Sequence, residues 1–295
     1  MHFGFGAFVT SFAPIAIVGR ACLLPGCASP EELWQAVVEG RDLVSQVPAD
    51  RWNIAPEAVL CEGPADSTDR TWSDRGGYVE GFEQLFNPDG FAISAEEING
   101  LDPVFQWTLH AARAALQDAG QDKGDPQRFG AVFGNLSFPS AGMAAYTEAT
   151  TIKNTAGYNS DALTTAGIAS IDARNRFNSG LPALLLERGL KLGVGAYALD
   201  AACASSLYAI KLACDRLHDN DADLMLAGAV NCADDLCIHL GFSALTALSR
   251  SGQSRPFHAK ADGLVPAEGC AFVALRRLDD AVRDGDVIHL SLIHI

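Results

Sequence analysis

Short uninterrupted runs of hydrophobic residues alternate along this chain with longer segments in which apolar residues recur every three or four positions. Runs of five to seven apolar residues are typical of strands buried on both faces, whereas the longer spacing is typical of amphipathic helices. The predicted strands cover residues 14–18, 129–134, 194–199, 224–230 and 271–275. This alternation predicts an α/β protein with a mostly parallel sheet that is covered by helices on both faces.

Two of the predicted helices carry clear boundary signals. Ser29 is suited to cap the first helix, Pro30 suits its first turn, and Glu32 completes a capping box. Gly40 ends this helix. The face predicted to pack on the core consists of Leu33, Trp34, Val37 and Val38. A second helix is predicted over residues 103–119, with a buried face formed by Phe105, Leu109, Ala112 and Leu116.

Two other stretches show little periodicity. Residues 41–100 are rich in Pro, Gly and Asp, and an irregular stretch of this length is usually functional or packed over another element. Residues 139–183 alternate small and polar side chains. The remaining predicted helical segments, some of them weak, are 141–147, 163–174, 236–248 and 278–283.

The candidate chemistry lies at residues 200–206, Asp-Ala-Ala-Cys-Ala-Ser-Ser, where a predicted strand turns directly into a predicted helix. Cys203 therefore occupies a corner lined by small residues that let a substrate approach closely. The partial positive charge of a helix N-terminus favours the thiolate, which is the form that acts as a nucleophile. The alternative is a buried structural cysteine at a packed corner, since free cysteine is among the most buried residue types.

Composition narrows the possible partners. The 21 basic and 36 acidic residues leave a net charge of −15, which argues against nucleic acid or an anionic membrane as the main partner. The apolar residues 3–18 are interrupted by Gly and Pro, so they predict neither a signal peptide nor a membrane span. Eight cysteines without a CxxC pair predict no metal site and no disulfide framework, and they favour a reducing cytoplasm.

Several segments taken together resemble the β-ketoacyl synthase (ketosynthase) family of fatty-acid and polyketide assembly. Residues 200–206 are similar to the active-site cysteine motif of that family. The other similar segments, in chain order, are 14–19, 29–40, 47–52, 87–103, 114–120, 228–231, 241–242, 247–249, 255–257, 261–263 and 268–269. Residues 129–134 and 178–182 look most like synthases of the modular polyketide or polyunsaturated-fatty-acid type.

The resemblance implies a thiolase-like fold with layered α-β-α-β-α architecture, of which this chain forms the N-terminal half and a truncated C-terminal half. The ketosynthase domain is expected over residues 14–287. An N-terminal extension of uncertain status precedes it at 1–13, and an aberrant tail follows at 288–295. We interpret that tail as read-through or adapter-derived sequence, because it departs from the family pattern.

The resemblance also implies a function for the site. Cys203 is expected to accept an acyl chain as a thioester from the phosphopantetheine of an acyl carrier protein, for condensation with a malonyl unit. Phe242 matches a family position that lines the acyl pocket, and an ordinary core phenylalanine is the alternative. No cofactor or metal is expected to bind the chain directly. Full-length members of the family form homodimers.

One part of the family's machinery is missing from the sequence. The decarboxylation step uses two histidines, from a His-Gly-Thr-Gly-Thr motif and a later Gly-His, that stabilise the developing enolate, and neither motif occurs here. His218 is predicted on a solvated face and His239 in the core, and the neighbours of His258 suggest no role as a base. We therefore expect little or no condensing activity from this chain alone.

Docking of an acidic carrier protein on a chain of net charge −15 would need a local basic patch. The candidates, for which an ordinary solvated face is the alternative, are Arg250, Arg255, Lys260, Arg276 and Arg277. Three other functions stay open: another thiolase-like condensing enzyme, a non-catalytic partner protein within a condensing complex, and a cysteine hydrolase. The presence of Cys203 opposes the non-catalytic partner, and the absence of a visible histidine partner opposes the hydrolase.

Overall fold

The computed structural model describes residues 13–49, 51–52, 54–62, 69–121, 125–154 and 172–292. The strands in these ranges are β1 (Ile15–Leu23), β2 (Ser45–Gln46), β3 (Arg75–Gly76), β4 (Phe129–Asn135), β5 (Gly195–Leu199), β6 (Leu224–Asn231), β7 (Gly269–Arg277) and β8 (Leu290–Leu292). The helices are α1 (Pro30–Glu39), α2 (Pro56–Val59), α3 (Phe82–Leu85), α4 (Ala95–Asn99), α5 (Pro103–Asp118), α6 (Ala141–Asn154), α7 (Leu181–Leu190), α8 (Ser205–His218), α9 (Asp235–Ala244) and α10 (Leu278–Asp284). None of these helices has the length and apolar character needed to cross a membrane. Residues 1–12 of the predicted extension, most of the predicted helical segment 163–174 and His294 lie outside the described residues.

The main sheet is mixed, so the prediction of a mostly parallel sheet is wrong. Its strand order in the described ranges is β5-β4-β6-β7-β1-β8. Strand β4 pairs in parallel with β5 and β6, whereas β7 pairs antiparallel with β6 and β1. Asn231 at the end of β6 lies opposite Gly269 at the start of β7. The long connection between them therefore returns the chain to the end of the sheet where β6 stopped, and this return makes the pair antiparallel.

Helices cover both faces of this sheet, as predicted. Residues of α5 and α7 form one buried cluster with Phe133, Leu226 and Phe272. Residues of α8 form a second cluster with Val132 and Met225. Because successive strand residues point to opposite faces, the neighbours Val132 and Phe133 belong to different clusters. The α/β class is confirmed, with a central sheet between two helical layers.

Helix α5 confirms the second predicted helix. Asp102 caps it by accepting a hydrogen bond from the Val104 N–H at 2.9 Å. All four residues of its predicted inner face are buried: Phe105, Leu109, Ala112 and Leu116. Helix α5 approaches Gly19 of β1 so closely that a Cβ there would lie 2.2 Å from the Ala115 carbonyl oxygen. The first strand, predicted over residues 14–18, continues to Leu23, and Gly19 is the point at which α5 crosses it.

Helix α1 has the predicted boundaries but not the predicted packing. Ser29 accepts a hydrogen bond from the Glu32 N–H at 3.2 Å, and Gly40 adopts a left-handed φ of 65° at the other end. Ala36 is the one buried residue of this helix. Three side chains of its predicted inner face are 67%, 62% and 62% exposed, namely Trp34, Val37 and Val38. That prediction is wrong because apolar spacing identifies a face without identifying what covers it.

The described residues of the stretch 41–100 pack over the rest of the domain. It contains the short helices α2, α3 and α4, and β2 pairs with β3 as a separate two-stranded sheet. Three of its aromatic residues are buried, namely Trp52, Tyr78 and Phe82. Of the two interpretations that the sequence offers for this stretch, packing over another element therefore applies to these residues.

Part of the C-terminal tail adds an edge strand to the main sheet. Strand β8 pairs antiparallel with β1, with Leu292 opposite Ile15. The His289 N–H donates to the Ile17 carbonyl at 2.9 Å, and the His289 Nε2 lies 3.0 Å from an Asp118 carboxylate oxygen. The origin of the tail stays a prediction.

Candidate active site

Cys203 lies between the end of β5 at Leu199 and the start of α8 at Ser205, as the strand-to-helix corner predicts. A 3₁₀ turn, Ala202–Ala204, carries it, and the residue is exposed rather than buried. The preceding residue, Ala202, has a φ of 50°, in the left-handed region that residues with a Cβ rarely adopt. The thiol is thus presented to solvent from an unusual backbone turn.

Two polar side chains hold this turn. One carboxylate oxygen of Asp200 accepts the Ala202 N–H at 2.9 Å, and the other accepts the Ser137 N–H at 2.9 Å. These N–H donors hold the pKa of Asp200 below its usual range. The hydroxyl of Ser205 accepts the Ala201 N–H at 2.9 Å and donates to the Ala202 carbonyl at 2.7 Å. Backbone polar groups that the turn frees from the strand and the helix therefore find side-chain partners.

An apolar cavity of about 910 Å³ opens beside Cys203. Its walls come from α1, the end of β4, the start of α8 and the strands β6 and β7, and its lining includes Leu24, Leu33, Leu43, Phe138, Ile210 and Phe272. Phe242, from α9, lines the same cavity. Volumes of a few hundred to about 1,000 Å³ with apolar walls are typical of small-molecule sites. The arrangement suits an extended apolar substrate whose reactive end reaches the thiol.

Asn135, at the end of β4, also lines this cavity. The Asn135 side chain is buried, and its amide nitrogen donates to the carbonyls of Asn178 at 2.6 Å and Ser179 at 3.2 Å. This amide holds the segment before α7 against the cavity wall.

An ionic cluster that the sequence did not predict closes another part of the wall. Glu268 lines the cavity and is 5% exposed, and it accepts the Val79 N–H at 2.6 Å. Its other carboxylate oxygen accepts a hydrogen bond from Arg51, whose Nε donates to Asp235 at 2.6 Å. Burial raises the pKa of Glu268 to about 7, because Arg51 is shared with a second carboxylate and offsets only part of the desolvation.

Both partners of this cluster lie in segments that resemble the ketosynthase family, but 217 residues separate Arg51 from Glu268. Nothing in the local pattern of either segment indicates that they meet. The sequence shows only that each residue lies in a segment similar to the family. It does not show that the two side chains form a pair.

The described histidines occupy other places. His218 Nε2 lies 2.8 Å from the Ala13 carbonyl, and His239 is buried with its Nδ1 2.8 Å from the Asp235 carbonyl. His258 Nδ1 accepts the N–H of Lys260 at 3.0 Å. Among the described residues that line the cavity none is a histidine, so in this part of the chain no imidazole accompanies the thiol.

Two of the five residues predicted as a basic docking patch have another role. Arg276 is 8% exposed and donates to Asp284 at 2.6 Å as well as to Asp286. Arg277 donates to Asp223 at 2.6 Å. Carboxylates of the same domain thus balance both guanidinium charges, and the prediction that these two residues offer docking charge is wrong. Arg255 also lies 3.6 Å from an Asp262 carboxylate oxygen, so the candidates that are left for such a patch are Arg250 and Lys260.

The other cysteines differ from Cys203 in their surroundings. All eight are free thiols. Cys214 and Cys270 are 3% and 1% exposed, and burial raises the pKa of Cys214 to about 11 and that of Cys270 further. Burial likewise raises the pKa of Cys232 and Cys237. Exposure beside a cavity therefore distinguishes Cys203 from these four thiols, which are buried or of intermediate exposure.

The family model and the similar proteins found for this chain all concern β-ketoacyl synthases or polyketide synthases. The family described as "Beta-ketoacyl synthase, N-terminal domain" matches residues 13–281. A mycocerosic acid synthase-like polyketide synthase of Mycobacterium tuberculosis is 34% identical over 284 residues, which are 95% of this chain and 12% of that protein. A phenolphthiocerol/phthiocerol polyketide synthase protein of the same species is 35% identical over 276 residues, 92% of this chain and 14% of that protein.

Solved structures show the same fold. The PfaC keto synthase–chain length factor superimposes with a TM-score of 0.84 at 33% identity, over 95% of this chain and 31% of that chain. The oxazolomycin ketosynthase domain OzmH KS7 of Streptomyces albus superimposes with a TM-score of 0.75 at 27% identity, over 93% of this chain and 45% of that one. The predicted thiolase-like fold is confirmed, and the chain spans less than half the length of these ketosynthase structures.

Proposed function

The chain belongs to the β-ketoacyl synthase family, and we propose that it forms the acyl-accepting part of a ketosynthase domain of the polyketide or fatty-acid synthase type. The observation that carries this proposal is the exposed thiol of Cys203 at the head of α8, beside an apolar cavity of about 910 Å³. A nucleophile and an acyl-sized pocket therefore meet at one point. We take residues 14–287 as the extent of the domain.

In the proposed step the Cys203 thiolate attacks the carbonyl carbon of an acyl thioester on the phosphopantetheine of an acyl carrier protein. A new carbon–sulfur bond forms as the bond to the pantetheine sulfur breaks, and the pantetheine thiolate leaves and takes a proton from water. Helix α8 runs for 14 residues from Ser205, so the partial positive charge of its N-terminus lies two residues from Cys203. In this proposal the chain binds no cofactor of its own.

The acyl chain would then lie in the cavity. Phe242, which is half-buried in its lining, limits the room available to the acyl chain on the side of α9. Leu33 and Phe272 supply further apolar surface. The free energy that an acyl chain gains by leaving water is proportional to the apolar area that it buries. The apolar walls therefore favour hydrocarbon over polar substrates.

We propose that condensation also needs groups beyond those described at this site. A malonyl unit must lose CO₂, and the resulting carbanion must attack the acyl carbonyl and release the Cys203 thiolate. We propose that the imidazoles for this step come from the remainder of the synthase, so that this chain alone accepts an acyl group without extending it. The presence of Cys203 opposes the alternative of a non-catalytic partner protein.

For the complete domain we propose a cytoplasmic homodimer. Strand β5 pairs only with β4 within the described part of the sheet, so its other edge is available to a second copy. The free thiols of all eight cysteines fit a reducing compartment.

The test is acyl transfer followed by intact mass. The purified chain is incubated with an acyl-pantetheine thioester, and we expect one added acyl group that peptide mapping assigns to Cys203. Cys203→Ala should remove the adduct, whereas Cys214→Ala, which removes a buried thiol, should keep it. An adduct that persists in Cys203→Ala, or a folded chain that gains no acyl group, would show the proposal to be wrong.

A further inference from the structure

The residue before the candidate nucleophile is held in a backbone conformation that it would not adopt freely. Ala202 has a φ of 50°, where a Cβ is disfavoured and glycine is the usual occupant. Its N–H donates to an Asp200 carboxylate oxygen at 2.9 Å. Ser205 binds the neighbouring groups, the Ala201 N–H and the Ala202 carbonyl, so the Ala202 N–H depends on Asp200.

The second carboxylate oxygen of Asp200 reaches a different segment. It accepts the N–H of Ser137 at 2.9 Å, from the loop that follows β4. Ser137 stands between Leu136 and Phe138, and both of these residues line the cavity. One carboxylate therefore joins the turn that carries the thiol to the wall along which an acyl chain would lie.

The chemistry of Asp200 suits this bridging role. The residue is exposed, so burial costs its charge little, and backbone N–H groups bind both oxygens. Hydrogen bonds from N–H groups to an ionised carboxylate are stronger than those between neutral groups. A carboxylate can accept at both oxygens at once, whereas alanine accepts at neither and asparagine offers a single oxygen.

We propose that Asp200 is a positioning residue: its carboxylate keeps Ala202 in the left-handed conformation and so aligns the Cys203 sulfur with the cavity wall for attack on an acyl thioester. This inference rests on the proposed function of Cys203. Misplacement of a reacting atom by about an ångström can lower the rate of a step by orders of magnitude. Loss of the Asp200 carboxylate should therefore lower the rate of acyl transfer at saturating thioester and leave the affinity for the thioester unchanged.

The test compares Asp200→Ala, Asp200→Asn and the double variant Asp200→Ala/Ala202→Gly with the unaltered chain. The rate of Cys203 acylation at saturating acyl-pantetheine is followed by intact mass, and alkylation of the same thiol by iodoacetamide is followed in parallel. Asp219→Ala is the matched control, because it removes an exposed carboxylate at the opposite end of α8. Melting temperatures verify that each variant is folded.

We expect Asp200→Ala to lower the acylation rate at least tenfold and to change the alkylation rate less than twofold, since a small reagent needs no alignment with the cavity. Ala202→Gly should restore most of the lost acylation in the double variant, because glycine adopts a left-handed φ without a side-chain partner. Asp200→Asn should be intermediate, and Asp219→Ala should match the unaltered chain.

Three results would overturn the inference. Full acylation in Asp200→Ala would show that the carboxylate positions nothing. A loss that Ala202→Gly does not restore, equal in Asp200→Asn and Asp200→Ala, would assign the effect to charge instead of to backbone conformation. If the unaltered chain is alkylated at Cys203 but never acylated, the proposed function itself is wrong, and the positioning role for acyl transfer falls with it.

Discussion

A side chain at Gly134 would collide with Ser205: a Cβ built on the glycine comes within 2.5 Å of the serine Cβ. Gly134 belongs to β4, and Ser205 is the first residue of α8, two positions after Cys203. The start of α8, which directly follows the turn that carries the thiol, therefore rests on the backbone of β4. The place of that helix depends on the absence of a side chain at Gly134.

Gly134→Ala should consequently both destabilise the chain and disturb the site. Extra atoms in a well-packed position typically cost about 1–3 kcal/mol, and we expect a loss of roughly 2 kcal/mol in the free energy of unfolding. Urea denaturation measures this loss, and the acylation rate of Cys203 should fall with it. Gly241→Ala is the control: a Cβ on Gly241 in α9 meets nothing within 4 Å, so this change should be neutral or slightly stabilising. Equal losses in the two variants would contradict the packing argument.

The stability of the chain should fall as pH rises through the range in which Glu268 ionises. The pKa of Glu268 is raised from 4.5 to about 7 in the folded chain, so the folded state holds a proton that the unfolded state has released. This contribution is complete below about pH 4.5 and is lost as pH rises through about 7, and at 1.36 kcal/mol per pKa unit it amounts to roughly 3 kcal/mol.

Glu268→Gln isolates this effect, because the variant cannot titrate at that position. Free energies of unfolding for both chains are measured by urea denaturation at pH 5, 6, 7 and 8. The deficit of the variant relative to the unaltered chain should be largest at pH 5 and should shrink toward pH 8. A deficit that is independent of pH would show that Glu268 keeps an ordinary pKa beside Arg51.

Arg277 should contribute much more to the stability of the chain than Arg283, although both side chains bind Asp280. It donates to the carbonyls of Leu217 at 3.0 Å and Ala222 at 2.7 Å, and it binds Asp280 as well. Lysine cannot reproduce this planar set of donors, so Arg277→Lys should cost about 2–3 kcal/mol in the free energy of unfolding. Arg283 also binds Asp280, but its side chain is 64% exposed. Arg283→Lys should therefore show no measurable loss, and similar losses in both variants would contradict this distinction.

Alkylation should select among the thiols of the folded chain. At pH 8, iodoacetamide is expected to modify Cys203 well before Cys214 and Cys270, which are 3% and 1% exposed and carry raised pKa values. Peptide mapping over a time course measures the order. In concentrated urea, where the chain is unfolded, the three thiols should be alkylated at similar rates. Equally fast modification of Cys214 in the native chain would show that the packing of α8 on the sheet does not shield this thiol.

Shortening Phe242 should shift the preference of the site toward longer acyl chains. The ring lines the cavity beside Cys203, and each further methylene that a pocket can bury is worth on the order of 1 kcal/mol. Phe242→Ala should raise the acylation rate of long relative to short acyl-pantetheines several-fold. Phe257→Ala is the control, because the Phe257 ring is fully exposed and does not line the cavity. An unchanged preference in Phe242→Ala would return Phe242 to the role of an ordinary core residue.

The sequence by itself determined the local elements. The capping residues of α1, the apolar face of α5 and the strand-to-helix corner at Cys203 all follow from spacing and from residues within a few positions of one another, and the structure has each of them. The family was also readable from short motifs in the right order. These features depend on interactions within one or two turns of the chain, which a linear pattern records directly.

Only the tertiary structure decided how these elements meet. The antiparallel pairing of β7 with β6 and β1, the exposure of Trp34 on α1, and the ion pairs of Arg51 and Arg277 were not predicted. Each depends on contacts between segments far apart in the chain, and Arg51 with Glu268 spans 217 residues. Periodicity states which side of an element is apolar, but the partner that covers it and the direction of its neighbour are set by packing of the whole domain. Packing of the whole domain also sets the position of the thiol beside its cavity, because that position requires β4, β5 and α8 to be in place together.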